Sequence, residues 1–280
     1  MKVYISADIE GITGLVSWSQ CGRPTSDHYD YQWARERLTQ DVNAAIRGAR
    51  SAGAEEVIVK DSHGNSKNLL VDQLEPGTKL ISGHGARTGG MMNGIDRECN
   101  AAVLIGYHAM AGTPSGVMEH TITGSVHRMW INDMPAGEIA LSAGLAGCFD
   151  VPVVAISSDR AGCEEAKALL PEIECAVVKE ALGRYSANCL HPSDSAPLIE
   201  ATVAAGVNKA SALDPWLPQT PVTIRIEFNR TEEADMSARL IGSRRVDGYT
   251  VEYTGDSWAE VHQAAWQIIL FAEMGHNADR

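Results

Sequence analysis

Five short runs rich in apolar residues, at positions 2–7, 56–59, 79–82, 101–105 and 151–156, limit most strongly what this chain can become. Runs of that length, nearly continuous in apolar character, are what strands covered on both faces require. Between the first two runs, Trp33, Leu38, Val42, Ile46 and Ala49 recur at roughly helical spacing within residues 30–52, ahead of Gly53. A second helical segment at 161–170 precedes a further strand at 175–178. Strands that alternate with helices in this way predict an α/β fold with a mostly parallel sheet flanked by helices.

The remaining segments extend that reading. Residues 126–131 read as a strand with a turn at 132–135, residues 137–148 as a helix of small residues, and residues 192–205 as another helix. The proline-rich stretch 214–221 reads as a connector. After it come a strand at 222–228, a polar helix, a strand segment at 245–253 and an amphipathic helix at 258–274, expected to form a smaller C-terminal α+β lobe. The expected division is an α/β domain over 1–214 and a lobe over 215–280 packed on it. The glycine-rich stretch 83–90 has neither the ending of a P-loop nor a G-x-G-x-x-G spacing, so it reads as a flexible loop.

Composition excludes several partners. With 23 Lys and Arg against 36 Asp and Glu, the net charge is −13, and no basic stripe stands out for nucleic acid. The apolar runs are far shorter than the ~20 residues a membrane helix needs. The start MKVYISADIEGITG carries acidic residues where an export signal would be apolar, so a cytoplasmic protein is expected. Cys21, Cys99, Cys148, Cys163, Cys175 and Cys189 show no CxxC spacing and read as reduced thiols.

Ligand-type side chains gather where these strands end. In open α/β sheets the crevice beyond the carboxyl ends of the strands is where ligands bind. Asp8 and Glu10 follow the first run, and residues i and i+2 of extended backbone face one side. His63 follows the second run and His108 the fourth. Taken singly, each has an ordinary reading: Asp8 as a cap, His63 as a turn donor, His108 as a core histidine. Together, imidazoles and carboxylates suit zinc and related divalent ions, and a carboxylate can bridge two of them.

Four segments carry a more specific resemblance: SADIEGITG at 6–14, KDSHGNSKNLL at 60–70, GYHAMAGTPSGVMEHT at 106–121 and INDMPAGEIAL at 131–141. In this order they resemble the signature blocks of the DppA-type D-aminopeptidases, over most of the chain and weakening beyond residue 215. The resemblance implies two divalent metal ions, zinc foremost, on Asp8, Glu10, His63, His108 and Glu138, with Asp8 as the bridge. It implies His120 as the catalytic histidine, acting either as general acid and base or as nucleophile. It also implies small peptide or amide substrates with a D-residue at the free amine, and a ring-shaped homo-oligomer, a decamer. From position alone, Glu138 reads as a dipole partner in the first turn of a helix, and His120 as a solvated histidine of a mobile loop. The loop at 113–116 is one residue longer than the family pattern, which leaves the pocket shape open.

Asn68, Asn132, Asp159, Lys179 and Arg184 lie in segments resembling the family and receive no role. His28, His84, His127, His191, His262 and His276 are read as structural. A dinuclear phosphoesterase, or an amidase acting on a non-peptide small molecule, would use the same metal ligands. Phosphate calls for cationic clamps, however, and the motif blocks offer only Lys60 and Lys67. An inert metal-binding protein is the third reading, and a closed four-coordinate site would mark it.

Overall fold

The structure, a computed structural model, describes residues 1–22, 28–84 and 89–277. Its strands are β1 (Lys2–Ala7), β2 (Glu56–Asp61), β3 (Lys79–Ile81), β4 (Ala101–Ile105), β5 (Val126–Ile131), β6 (Met134–Pro135), β7 (Val153–Asp159), β8 (Glu174–Gly183), β9 (Ser186–Cys189), β10 (Val222–Phe228), β11 (Arg244–Arg245) and β12 (Thr250–Gly255). The helices are α1 (His28–Ser51), α2 (Glu138–Gly147), α3 (Arg160–Leu169), α4 (Pro192–Asn208), α5 (Thr231–Ser237) and α6 (Trp258–His276). Positions 85–88 of the glycine-rich stretch, and with them the expected flexible loop, lie outside the described residues.

Seven strands pair in the order β3-β2-β1-β4-β7-β8-β9. All pairings are parallel except that of β9, which returns antiparallel beside β8. Alternate side chains of the central strands leave on opposite faces, and both faces are covered. Val3, Ile5, Val103 and Ile105 meet Leu38, Val42 and Ile46 of α1 and Ile199 and Val203 of α4. On the other face Tyr4, Ala102, Leu104 and Ile156 meet Ile139 and Ala143 of α2 and Cys163 and Ala166 of α3. Four of the five apolar runs are thus buried parallel strands, whereas the run at 79–82 is the partly exposed edge strand β3.

A second sheet is antiparallel, in the order β11-β12-β10-β5-β6. In β10, Val222, Ile224, Ile226 and Phe228 are buried and the residues between them are not, the alternation of a sheet with one wet face. That buried face packs on α6 through Val261, Ala265, Ile268 and Ala272. Two of the five strands come from before residue 215 and three from after it, so this layer is assembled from both segments of chain. The connector lies close against α2: a Cβ on Gly147 would stand 2.2 Å from the carbonyl oxygen of Trp216.

Two details differ from the sequence reading. The strand expected at 175–178 runs on to Gly183 and turns into β9, where Leu182 and Tyr185 are exposed and no apolar run marks an edge. The strand expected at 245–253 is two short strands, β11 and β12, on either side of a turn. None of the six cysteines forms a disulfide. No helix among the described residues is long and apolar enough to cross a membrane.

Candidate metal centre

The carboxyl ends of β1, β2 and β4 stand side by side, and the chain beyond each carries donor side chains into one crevice. Asp8 N–H donates to Ile105 O at 2.8 Å and Gly11 N–H to Gly106 O at 2.7 Å, stitching the loop after β1 to the loop after β4. Glycine is required there. A Cβ on Gly106, whose φ is +69°, would stand 2.2 Å from Asp8 O, and one on Gly11 only 1.8 Å from Tyr107 O. From below, the buried Lys179 Nζ donates to the carbonyls of Glu10 (2.5 Å), Leu15 (2.6 Å) and Ile12 (3.1 Å). Three backbone oxygens on one ammonium hold the ligand loop in its curve.

Within this frame all six predicted site residues converge. His63 Nδ1 lies 3.0 Å from Glu10 Oε2 and 3.3 Å from Asp8 Oδ1. His108 Nε2 lies 3.4 Å from Asp8 Oδ2 and 3.4 Å from Glu138 Oε1. His120 Nε2 lies 3.9 Å from Glu138 Oε1 and 4.0 Å from Glu10 Oε1. Asp8 therefore stands between His63 and His108, one carboxylate oxygen toward each. Glu138 begins α2, and its Oε1 also accepts from Ile122 N–H at 2.6 Å.

Each imidazole is oriented from outside. His63 Nε2 is 3.0 Å from Cys21 O, His108 Nδ1 3.0 Å from Ala109 O, and His120 Nδ1 2.9 Å from Met118 O. A carbonyl only accepts, so each outer nitrogen carries the hydrogen and each inner nitrogen faces the carboxylates. Backbone carbonyls orient metal-ligating histidines in this way.

The charge balance points the same way. Asp8, Glu10 and Glu138 are at most 4% exposed. Burial pushes the Asp8 and Glu138 carboxyls up, yet the histidines outweigh it and hold both below the ordinary carboxylate range. Burial likewise pulls His63 and His108 down, but the facing carboxylates hold both well above the ordinary histidine value. Asp8 Oδ2, Glu10 Oε2 and His108 Nε2 are buried without a hydrogen-bond partner. Buried polar atoms are nearly always partnered. Ligand-type atoms of Asp8, Glu10 and His108 lie within 4.8 Å of one another, as do those of His108, His120 and Glu138, spacings that fit divalent cations.

His120 differs from its expected place as a solvated loop residue. It is 8% exposed, stacked on His108 with ring centroids 4.0 Å apart, and met edge-on by Trp18 at 4.9 Å. Burial first, then the neighbouring His108, lowers its pKa from the ordinary histidine value. The sequence reading missed Trp18, whose Nε1 donates to Tyr185 Oη at 3.2 Å; no local spacing marks it.

The five residues left without roles part company. Asn68 lines the cavity above the centre, and Lys179 supports the ligand loop. Asp159 caps α3 and accepts from Val117 N–H at 2.6 Å, Arg184 pairs with Glu119 at 2.9 Å, and Asn132 occupies the β5–β6 turn. Of the six histidines read as structural, His84 lines the cavity, whereas His262 is buried against Trp266 Nε1 at 3.2 Å. The His28 side chain lies outside the described ones.

The cavity holds about 680 Å³ and is lined by Trp18 and Tyr31 as well as by Trp266 and Leu270 of α6. Asp8, Glu10, His63, His120 and Glu138 line its floor. That volume suits a small molecule or short peptide. Lys67, one of the two lysines a phosphate would call on, is not among the lining residues.

The peptidase M55 family model, described as D-aminopeptidase, matches residues 1–266. The chain is 34% identical over 265 residues to a D-aminopeptidase of Bacillus subtilis (strain 168), covering 94% of this chain and 95% of that protein. Among solved structures it is similar to the "Zn-dependent D-aminopeptidase DppA from Bacillus subtilis, a self-compartmentalizing protease", with a TM-score of 0.92, 32% identity and 98% of both chains covered.

Proposed function

The chain belongs to the peptidase M55 family of D-aminopeptidases, and from that membership we propose that it is a metal-dependent hydrolase releasing N-terminal D-amino acids, such as D-Ala, from short peptides or amides. The observation that carries this reading is the set of inner imidazole nitrogens of His63, His108 and His120 turned toward the carboxylates of Asp8, Glu10 and Glu138. Two divalent ions, zinc by the likeness to a zinc-dependent relative, would be held by Asp8, Glu10, His63, His108 and Glu138, with Asp8 as the bridge. Bound there, they supply a Lewis acid for the scissile carbonyl and a water whose pKa is drawn toward about 7.

The chain's own residues do the rest. His120 keeps Nδ1–H on Met118 O and presents Nε2 to the cavity, so one nitrogen is fixed and the other moves a proton. Burial keeps that nitrogen unprotonated near neutral pH, so it accepts a proton and delivers it to the departing amine nitrogen. Trp18 and His108, on two sides of the ring, limit its rotation. A ring-shaped homo-oligomer, a decamer, with sites opening to an enclosed space would restrict entry to short peptides; the solved relative's description as self-compartmentalizing supports it.

The test is hydrolysis of D-Ala-D-Ala, its L counterpart and bis-p-nitrophenyl phosphate, with and without chelator and added zinc. Cleavage of the D-peptide alone, lost on chelation and restored by zinc, is expected, together with two metal equivalents by elemental analysis and a large particle by light scattering. Equal rates on both enantiomers, or cleavage of the phosphodiester alone, would defeat the reading.

A further inference from the structure

Among the described residues lining the cavity, one is a lysine. Lys60, near the end of β2, lines it together with Asp8, Glu10 and Glu138 and is 2% exposed, as little as those carboxylates. Its Nζ donates to Asp61 O at 2.5 Å and to Gly83 O at 3.3 Å. An ammonium carries three donors, so one N–H is left over. Lys60 makes no ion pair with a carboxylate among the described residues. The adjacent Asp61 is engaged elsewhere, accepting from Asn68 N–H (2.6 Å), Leu69 N–H (2.7 Å) and Asn68 Nδ2 (2.8 Å).

Burial disfavours the Lys60 charge and the neighbouring Asp61 carboxylate offsets that only in part, so an anion entering the cavity relieves the rest. Two carbonyls fix the ammonium in advance, so the ordering cost of recognition is already met by the fold. Lys60 is the register partner of Ser6 on the neighbouring parallel strand, so both side chains leave the sheet on the same face. Ser6 Oγ there bonds the carbonyl of Met91, which lines the cavity as Lys60 does. Among the described lining residues the cavity therefore has the candidate metal ligands at the strand ends and, near the end of β2, one lysine.

We propose that Lys60 is the subsite for the C-terminal carboxylate of a dipeptide whose scissile bond lies at the metal centre. One leftover donor fits one carboxylate oxygen, whereas a phosphate dianion calls for several. The inference rests on the D-aminopeptidase reading and deepens it from "short peptides" to free dipeptides.

The test compares D-Ala-D-Ala with its C-terminal amide, which lacks only the carboxylate charge. Calorimetric binding is measured in the His120→Ala background with and without Lys60→Met, and turnover is measured with His120 intact. Lys60→Met should weaken D-Ala-D-Ala about 10- to 100-fold in binding and in KM, the usual worth of a hydrogen bond to a charged group. The amide should change by less than about twofold, which also shows that the variant is folded. Lys60→Gln should reproduce the split if Met perturbs packing. Equal losses on both ligands, or no loss on either, overturn the proposal. A wild-type protein that binds the acid in preference to the amide yet cleaves neither defeats the D-aminopeptidase reading and leaves the subsite standing. One that cleaves both without preference defeats the subsite and leaves the activity.

Discussion

Replacing Gly11 with alanine tests how closely the metal centre depends on two loops touching. A Cβ at that position would lie 1.8 Å from Tyr107 O and 2.6 Å from the Gly106 carbonyl carbon, where ordinary contact begins at 3.4 Å. The loops would have to part by about 1.6 Å, the difference between 3.4 and 1.8 Å, and the 2.7 Å bond from Gly11 N–H to Gly106 O would be lost. Glu10 sits one residue from the clash on one loop and His108 one residue from it on the other. Metal–donor distances tolerate about 0.2 Å, so the displacement is several times what the donor set can absorb. Gly11→Ala is expected to lower zinc affinity by at least about 10- to 100-fold, the range for loss of a supporting contact. Overpacking typically costs about 1–3 kcal/mol, so Tm should fall by roughly 2–12 °C. Zinc competition titrations and calorimetry check both, with Gly124→Ala as the control because a Cβ there meets nothing within 4 Å. A Gly11→Ala protein with wild-type zinc affinity would refute the claim that this contact sets the centre.

Further substitutions separate roles within the site. His108→Ala should lose metal and Tm together, because metal binding is coupled to folding; His120→Ala should keep its metals while turnover falls about 10²- to 10⁴-fold, and metal loss equal to that of His108→Ala would make His120 a sixth ligand. Lys179→Met leaves the carbonyls of Glu10, Ile12 and Leu15 without their donor, at about 1–3 kcal/mol for each group left unsatisfied; unchanged Tm and zinc affinity would show that the ligand loop holds itself. Burial pushes the Glu165 carboxyl from 4.5 up to about 7. A folded value above the unfolded one favours the metal-free fold below about pH 4.5 and loses that contribution as pH rises toward 7. Glu165→Gln should therefore gain roughly 1–3 kcal/mol over wild type at about pH 8 relative to about pH 5 in urea titrations, and an unchanged difference would count against the buried acid.

The parts of the fold legible in the sequence are those whose burial is two-sided. β1, β2 and β4 carry nearly unbroken apolar runs because helices cover both faces of the sheet, and their ends located Asp8, Glu10, His63 and His108 directly. β9 and β11 are short and partly exposed, so no periodicity marks them. Glu138 was legible only through the resemblance, since a Glu opening a helix looks the same whether it serves the dipole or a cation. In the structure it bonds Ile122 N–H while facing His108. The burial of His120 was not legible at all. It depends on Trp18, distant in the chain, held in turn by Tyr185 of the β8–β9 hairpin, and contacts between distant loops leave no trace in local spacing.

Charge balance leads to the last prediction. His63, His108 and His120 have each committed an outer N–H to a backbone carbonyl. Any second proton must therefore occupy the inner nitrogen, which is also the nitrogen a metal would take. The carboxylates hold His63 and His108 well above the ordinary histidine value despite burial, so at pH 7 the metal-free protein carries both protons. His120 is shifted downward and does not. Loading with zinc must then expel the two protons, because a histidine coordinates only as the neutral imidazole. Zinc titrations by calorimetry in buffers of different ionisation enthalpy should show close to two protons released at pH 7, and zinc affinity should rise with pH while both inner nitrogens still compete for protons. Release should fall to about one in His108→Ala and stay near two in His120→Ala. Binding of zinc with no proton release at pH 7 would mean that the inner nitrogens are already bare, and that the buried carboxylates are balanced by some charge other than these histidines.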